Sequence, residues 1–331
     1  MKTVHILALA LTLALGNTFA TSCMTSDTVV IRPSSHYTTK TIGITDIESI
    51  TTSSSVDVVY HPTAGAPYAE IYAPDNVVAY IQVEQEGHQL NVGIKHPDGK
   101  GVSIQGKCRY EVRVYAPEVT SFTSRSSGSI LVQEAIQTEK PIQLWAKSSG
   151  DIKASSIACG TAELSSQSSG DILVESLRCT GGQLKASSSG DCNIHSLNSL
   201  GDMAVSTSSS GDCKVDQMDC EGDLSISSSS SGDCKINDLR CTGDVEADTS
   251  SSADIYLSGT CRNASLSASS AGSVYAKDLK AVNVKANASS AGCVECQASG
   301  VLTPHTSSGG EIRYKGEPQN IDAPLKGVRQ L

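Results

Sequence analysis

The sequence predicts an all-β fold, a right-handed parallel β-helix with coils of about 20 residues, and three observations carry that prediction. First, a serine-rich corner closing on a small residue recurs ten times, at Gly128, Gly150, Gly170, Gly190, Gly211, Gly232, Ala253, Gly272, Gly292 and Gly310, with separations of 18 to 22 residues. Second, apolar positions alternate with polar ones after each corner, as in Ile172-x-Val174, Cys192-x-Ile194 and Val274-x-Ala276, the period-2 mark of a half-buried strand. Third, aromatic residues are only 4% of the chain, which suits a narrow core filled by Ile, Val, Leu, Ala, Cys and Ser. A unit this short cannot bury its apolar side alone, but stacking on like units about 4.8 Å away does so. Right-handedness follows from the general preference of parallel crossover connections.

From the N-terminus, residues 1–22 read as an export signal. Lys2 supplies the positive end, and residues 6–15 (ILALALTLAL) form an apolar run shorter than the roughly 20 residues a bilayer needs. Two processing readings stand open. Thr18-Phe19-Ala20 resembles a small-x-small cleavage site, whereas Ala20-Thr21-Ser22-Cys23 resembles a bacterial lipobox lacking its usual Leu, which would make Cys23 a lipidated first residue. Either one takes the protein to the periplasm, the outer membrane or the cell surface. Residues 23–40 read as a flexible leader. Residues 41–120 are expected to form strands contiguous with the helix that cap its open edge. Residues 121–316 are the coils, and 317–331 a C-terminal tail.

Within the coils, three rows stand out. An aspartate follows the corner at Asp151, Asp171, Asp191, Asp212, Asp233 and Asp254. Cys192, Cys213 and Cys234 share one inward position in successive coils, and Cys159, Cys179, Cys220, Cys241 and Cys261 share another, with Ser199 filling the gap. In-register side chains about 4.8 Å apart are too far for a disulfide, which prefers Cβ atoms roughly 3.5–4.5 Å apart, so these thiols are expected to be free, buried filler. Cys293-Val294-Glu295-Cys296 would point its two sulfurs to opposite faces of a strand, and no second pair stands at zinc-ribbon spacing.

The aspartate row admits two readings. Stacked carboxylates offer oxygen ligands to a cation such as Ca²⁺. Corner aspartates also bond nearby backbone N–H groups, each within its own corner. The second reading is favoured, because unpaired neighbours at that spacing repel by only about 0.8 kcal/mol in water. A serine nucleophile needs a base, and of seven scattered histidines only His195 lies in the central repeats. A polysaccharide lyase or hydrolase would need two carboxylates flanking one bond, and a regular row singles out no pair. Trp145, Tyr256 and Tyr275 are the aromatic hints of sugar stacking. A net charge of −10 with no cluster of Lys or Arg excludes a nucleic-acid surface. No cofactor is implied.

Residues 42–61 (IGITDIESITTSSSVDVVYH), 69–95 (AEIYAPDNVVAYIQVEQEGHQLNVGIK), 108–130 (CRYEVRVYAPEVTSFTSRSSGSI) and 311–321 (EIRYKGEPQNI), in that order around the coils, resemble the DUF2807 family of exported bacterial proteins, over about 41–316. The resemblance implies a β-helical surface or periplasmic domain of the kind found mainly in Bacteroidetes, and brings no established activity. The expectation is therefore a non-catalytic envelope module, structural or adhesive. Its partner would be a surface glycan or an envelope protein, and its contact with the membrane would run only through a lipid on Cys23. The alternatives are a carbohydrate-active β-helix enzyme and a passive envelope scaffold.

Overall fold

The computed structural model describes residues 28–322 and 326–331; the expected export signal and the candidate lipidation residue Cys23 lie outside the described residues. The chain winds as a parallel β-helix whose coils feed two long sheets, one of 14 strands and one of 16. One coil illustrates the rest. Ile172–Cys179 lies in one sheet and Gly181–Ser187 in the other. Ile172, Val174, Leu177, Cys179, Leu184 and Ala186 all point inward and are buried. The first strand shifts phase at Glu175 and Ser176, two successive outward residues, and the ladder bends there.

Like stacks on like. Ile172 pairs with Cys192, Val174 with Ile194 and Leu177 with Leu197, and the next coils keep the register. Because side chains alternate across a strand on either side of that bend, a slip of one residue would turn most of the apolar set outward, so burial itself holds the register.

The corners divide their demands between two residue types. The left-handed residues are the serines before the closing glycine or alanine: Ser209 and Ser210 have φ of 54° and 71°, and Ser251 and Ser252 of 59° and 69°. The glycine is required for room. A Cβ on Gly232 would lie 2.6 Å from the Ser208 nitrogen and 2.8 Å from the Gly211 carbonyl oxygen. A buried hydroxyl lines the inside of several corners and satisfies the carbonyl there: Ser166 Oγ donates to Gly170 at 2.7 Å and Thr249 Oγ1 to Ala253 at 2.6 Å.

At the N-terminal end the stacking order departs from the chain order. Ser49–Thr52 and Asp57–Pro62 build a coil with its own serine corner, Ser54 at φ 63°. The coil beneath it comes later in the chain, from Gln89–Ile94 and Glu111–Ala116, and the coil above it from Ser121–Ser124 and Ile130–Val132. The antiparallel strands Tyr37–Gly43, Tyr68–Pro74 and Ile81–Glu86 then close that end.

The leader reading of residues 23–40 needs correction from residue 28 onward. Thr28–Ile31 pairs in parallel with Gly101–Ile104, and Tyr37–Gly43 pairs antiparallel with Tyr68–Pro74, Tyr37 stacking on Tyr72 with ring centroids 5.1 Å apart. These strands lie on the surface of the cap and bury little of their length, so their sequence carries only a weak apolar pattern. The C-terminal tail also docks: Asn320–Ile321 and Val328–Gln330 add to the two sheets.

Candidate functional site

Any binding or catalytic chemistry must sit on the outward rows and the corners, because the lumen is packed. The aspartate row runs along one corner edge, and its hydrogen bonds differ from the expectation of a cap within each corner. Each carboxylate from Asp151 to Asp233 reaches the next coil, and Asp254 at the end accepts from Tyr256 Oη. Asp151 Oδ1 accepts the Asp171 N–H at 3.2 Å, and Asp171 accepts that of Asp191 at 3.0 Å. The chain continues through Asp212, Asp233 and Asp254 at 3.2, 2.9 and 2.9 Å. Asp57 opens the row by accepting the Ser129 N–H. Stacking brings the next corner's N–H within hydrogen-bond reach of these side chains. Among the described residues no group of three or more His, Cys, Asp or Glu side chains is arranged to hold a metal ion.

Burial raises the carboxyls of Asp191 and Asp233; the N–H bond from the following coil pulls them back down, and the flanking aspartates push them up again. An asparagine would keep the acceptor and lose the charge. Asp233→Asn is therefore expected to leave stability unchanged or raise it by up to about 1 kcal/mol, whereas Asp233→Ala should lose about 1 kcal/mol. Urea denaturation of the two variants checks the difference in sign.

A second polar row, which the reading from sequence missed, runs along another edge. Asp202 Oδ1 accepts the Asp223 N–H at 2.9 Å, and Asp223 accepts that of Asp244 at 2.9 Å. Asn263 and Asn283 continue it by side-chain amides, ending on the Val301 N–H at 3.1 Å. Its signal was present as the Gly-Asp pairs 201–202, 222–223 and 243–244, which fall two residues beyond Ser199, Cys220 and Cys241. Asn263 and Arg262 hold the Asp244 carboxyl below the usual range.

Beside this second row lies a groove of about 620 Å³. Its floor is the outward row Ala204, Ser225, Glu246, Ser265, Lys285 and Thr303, paired coil to coil. Asp202, Asp223, Asp244, Asn263 and Asn283 form one wall. A concave, partly apolar surface with a few convergent polar groups has the character of a ligand site.

The thiols sit inside. Cys192, Cys213 and Cys234 are register partners, as are Cys220 and Cys241, while Cys179 and Cys220 both face Ser199. Cys159 and Cys261 end the second sulfur row, and all eight are free and buried. Burial pushes Cys159, Cys261 and Cys296 up to about 12. Among the described cysteines, the half-buried Cys108 and Cys293 are expected to react first with a thiol reagent in the folded protein, because the reagent can reach them while the other sulfurs are buried. Denaturation without reductant should expose the rest; fewer than about two reactive thiols in that sample would mean the rows are bridged.

The remaining candidates are dispersed. His195 Nδ1 lies 3.1 Å from Asp216, which Lys214 and then His195 hold down to about 2, with no serine in the cluster. Tyr256 and Tyr275 stack on the outer face of the other sheet, centroids 4.9 Å apart, and Tyr256 Oη donates to Asp254. Trp145 carries Lys147 Nζ 5.0 Å from its ring centre.

The family described as "Putative auto-transporter adhesin, head GIN domain" matches residues 46–219 and 203–318. Among solved structures, similarity extends to a "putative adhesin" from Parabacteroides merdae at 17% identity, covering 91% of this chain and 99% of that one, TM-score 0.35. It extends also to a "putative adhesin" from Bacteroides fragilis at 16% identity, covering 91% and 95%, TM-score 0.31. A third is a "Putative lipid binding protein" from Parabacteroides distasonis at 19% identity, covering 92% and 100%, TM-score 0.33. No curated protein matches the chain.

Proposed function

We propose that this chain, which belongs to the DUF2807 family of "putative auto-transporter adhesin, head GIN domain" proteins, is an exported envelope module that works by binding a surface and performs no catalysis. The observation that carries the reading is the use made of its carboxylates. From Asp151 to Asp233 in one corner row, and at Asp202 and Asp223 in the other, the aspartates accept a backbone N–H of the next coil, repeating from coil to coil. A glycosidase needs two carboxylates on opposite sides of one bond, with one of them held protonated. Asp244 on the wall and Glu246 on the floor are two residues apart on one strand, and Asn263 and Arg262 hold the Asp244 carboxyl in its ionised form.

Labelled protein is expected to bind intact bacterial or host cells saturably, and to release no reducing ends from polysaccharide. Cells that bind no more of it than of an unrelated acidic protein would overturn the reading, as would sugar release that Glu246→Gln abolishes. Fractionation of the producing cells should place the chain outside the cytoplasm.

A further inference from the structure

We infer that the groove beside the second polar row is the binding site for a neutral linear glycan laid along the helix axis, an inference that rests on the binding reading above and names its site and ligand. Its shape argues first. The groove crosses seven coils, from Gly182 through Met203, Leu224, Val245, Ala264 and Val284 to Leu302 in register, with lining residues in each. Six spacings of about 4.8 Å give roughly 29 Å of channel running across the strands. An extended pyranose chain advances by close to one coil spacing per ring, so successive rings meet equivalent surroundings. A peptide strand advances about 3.3 Å per residue and turns alternate side chains away, so it falls out of step within a few coils.

The chemistry argues the same way. Asp202 and Asp223 commit Oδ1 to the backbone, and among the described residues no partner engages their Oδ2 atoms. These are acceptors for hydroxyl donors, repeated at the coil spacing. The row continues with Asn263 and Asn283, each of which commits Oδ1 and one amide hydrogen within the row and keeps a second N–H to donate. Ala204, Ser225, Ser265 and Thr303 keep much of the floor low, leaving room for a sugar ring to lie against it. Charge selects among glycans. Asp202, Asp223, Asp244 and Glu246 line the groove together with Lys285, an excess of carboxylate that disfavours uronic, sulfated or phosphorylated chains.

The test uses the purified protein on an array of neutral linear glycans of graded length, with alginate, heparin and poly-lysine as charged polymers. At least one neutral linear glycan should bind, its affinity rising with length until about six rings, the number of coil spacings spanned. Ser225→Trp fills the floor and should weaken binding by about tenfold or more. Ser227→Trp, outward on the same strand but outside the groove, should bind as the native protein does, and equal melting temperatures would show both variants folded. Binding of charged polymers alone, of no neutral linear glycan, or equally by Ser225→Trp would overturn the assignment. If cells are still bound in any of those cases, the groove assignment alone falls; if cells are not bound either, the binding reading falls with it.

Discussion

Gly232→Ala is expected to destabilise the protein by more than about 3 kcal/mol, while Gly272→Ala should cost less than about 1 kcal/mol. Both residues close a serine corner, and neither has the positive φ that would itself demand glycine. What separates them is space. The added Cβ at Gly232 would lie 2.6 Å from the Ser208 nitrogen and 2.8 Å from the Gly211 oxygen, both backbone atoms of the coil below. Relieving that overlap means lifting one coil from the next and stretching the ladder on both sheets. At Gly272 the nearest atoms stand at 3.1 Å, and the corresponding position of the coil below is already an alanine, Ala253, fully buried. A few tenths of an ångström of local movement suffice. Urea denaturation followed by circular dichroism reads both variants. Neighbour-only coupling in a solenoid also predicts that Gly232→Ala lowers the slope with denaturant by uncoupling two blocks of coils. Equal costs at the two sites would mean that the coils do not stack as described.

Much of this architecture was legible because each coil must repeat the solution of the last. The corner at residues 187–192 recurs at 208–213 and 229–234, and the sulfur positions recur with it, so period alone placed them in register. Legibility ended where repetition did. In the coil of Ser49–Thr52 and Asp57–Pro62, Val56 takes the place of the corner glycine, and 72 residues separate it from Gly128, so a fixed period passes over it. The stacking of that coil between two later ones is a tertiary choice with no local signature. The second polar row was missed for a different reason. Its Gly-Asp pairs begin only at Gly201 and give way to Asn263 and Asn283, so the hydrogen-bonding role persists while the letters change. The groove follows from how that row adjoins an outward row of mostly small side chains, which no single position reveals.

Arg113→Met is expected to cost about 2–3 kcal/mol and to loosen the N-terminal cap while the central coils keep their protection. Glu111 is 4% exposed at the start of the lowest coil, paired to Asp57 above and to Tyr72 of the capping strand. Four N–H groups hold its carboxylate. Arg109 donates Nε and Nη2 to Oε2 at 3.0 and 2.8 Å, and Arg113 donates the same pair to Oε1 at 2.8 and 2.6 Å. Arg113 also lies 5.3 Å from the centre of the Tyr72 ring, so it ties the carboxylate to the antiparallel strand that ends the sheet. Methionine keeps most of the apolar stem but leaves a buried charge with half its donors. Removing both charges should be gentler than removing one, so Glu111→Gln with Arg113→Met is expected to recover about half the loss or more. The cap depends on this pair more than any coil does, because an interior coil has a neighbour on each side and the end coil has only the cap. Amide hydrogen exchange should therefore quicken in Tyr37–Gly43 and Tyr68–Pro74 and stay slow in Cys213–Cys220. Uniform acceleration along the chain would show that the cap and the coils unfold as one unit, and that the carboxylate holds the whole helix as well as its end.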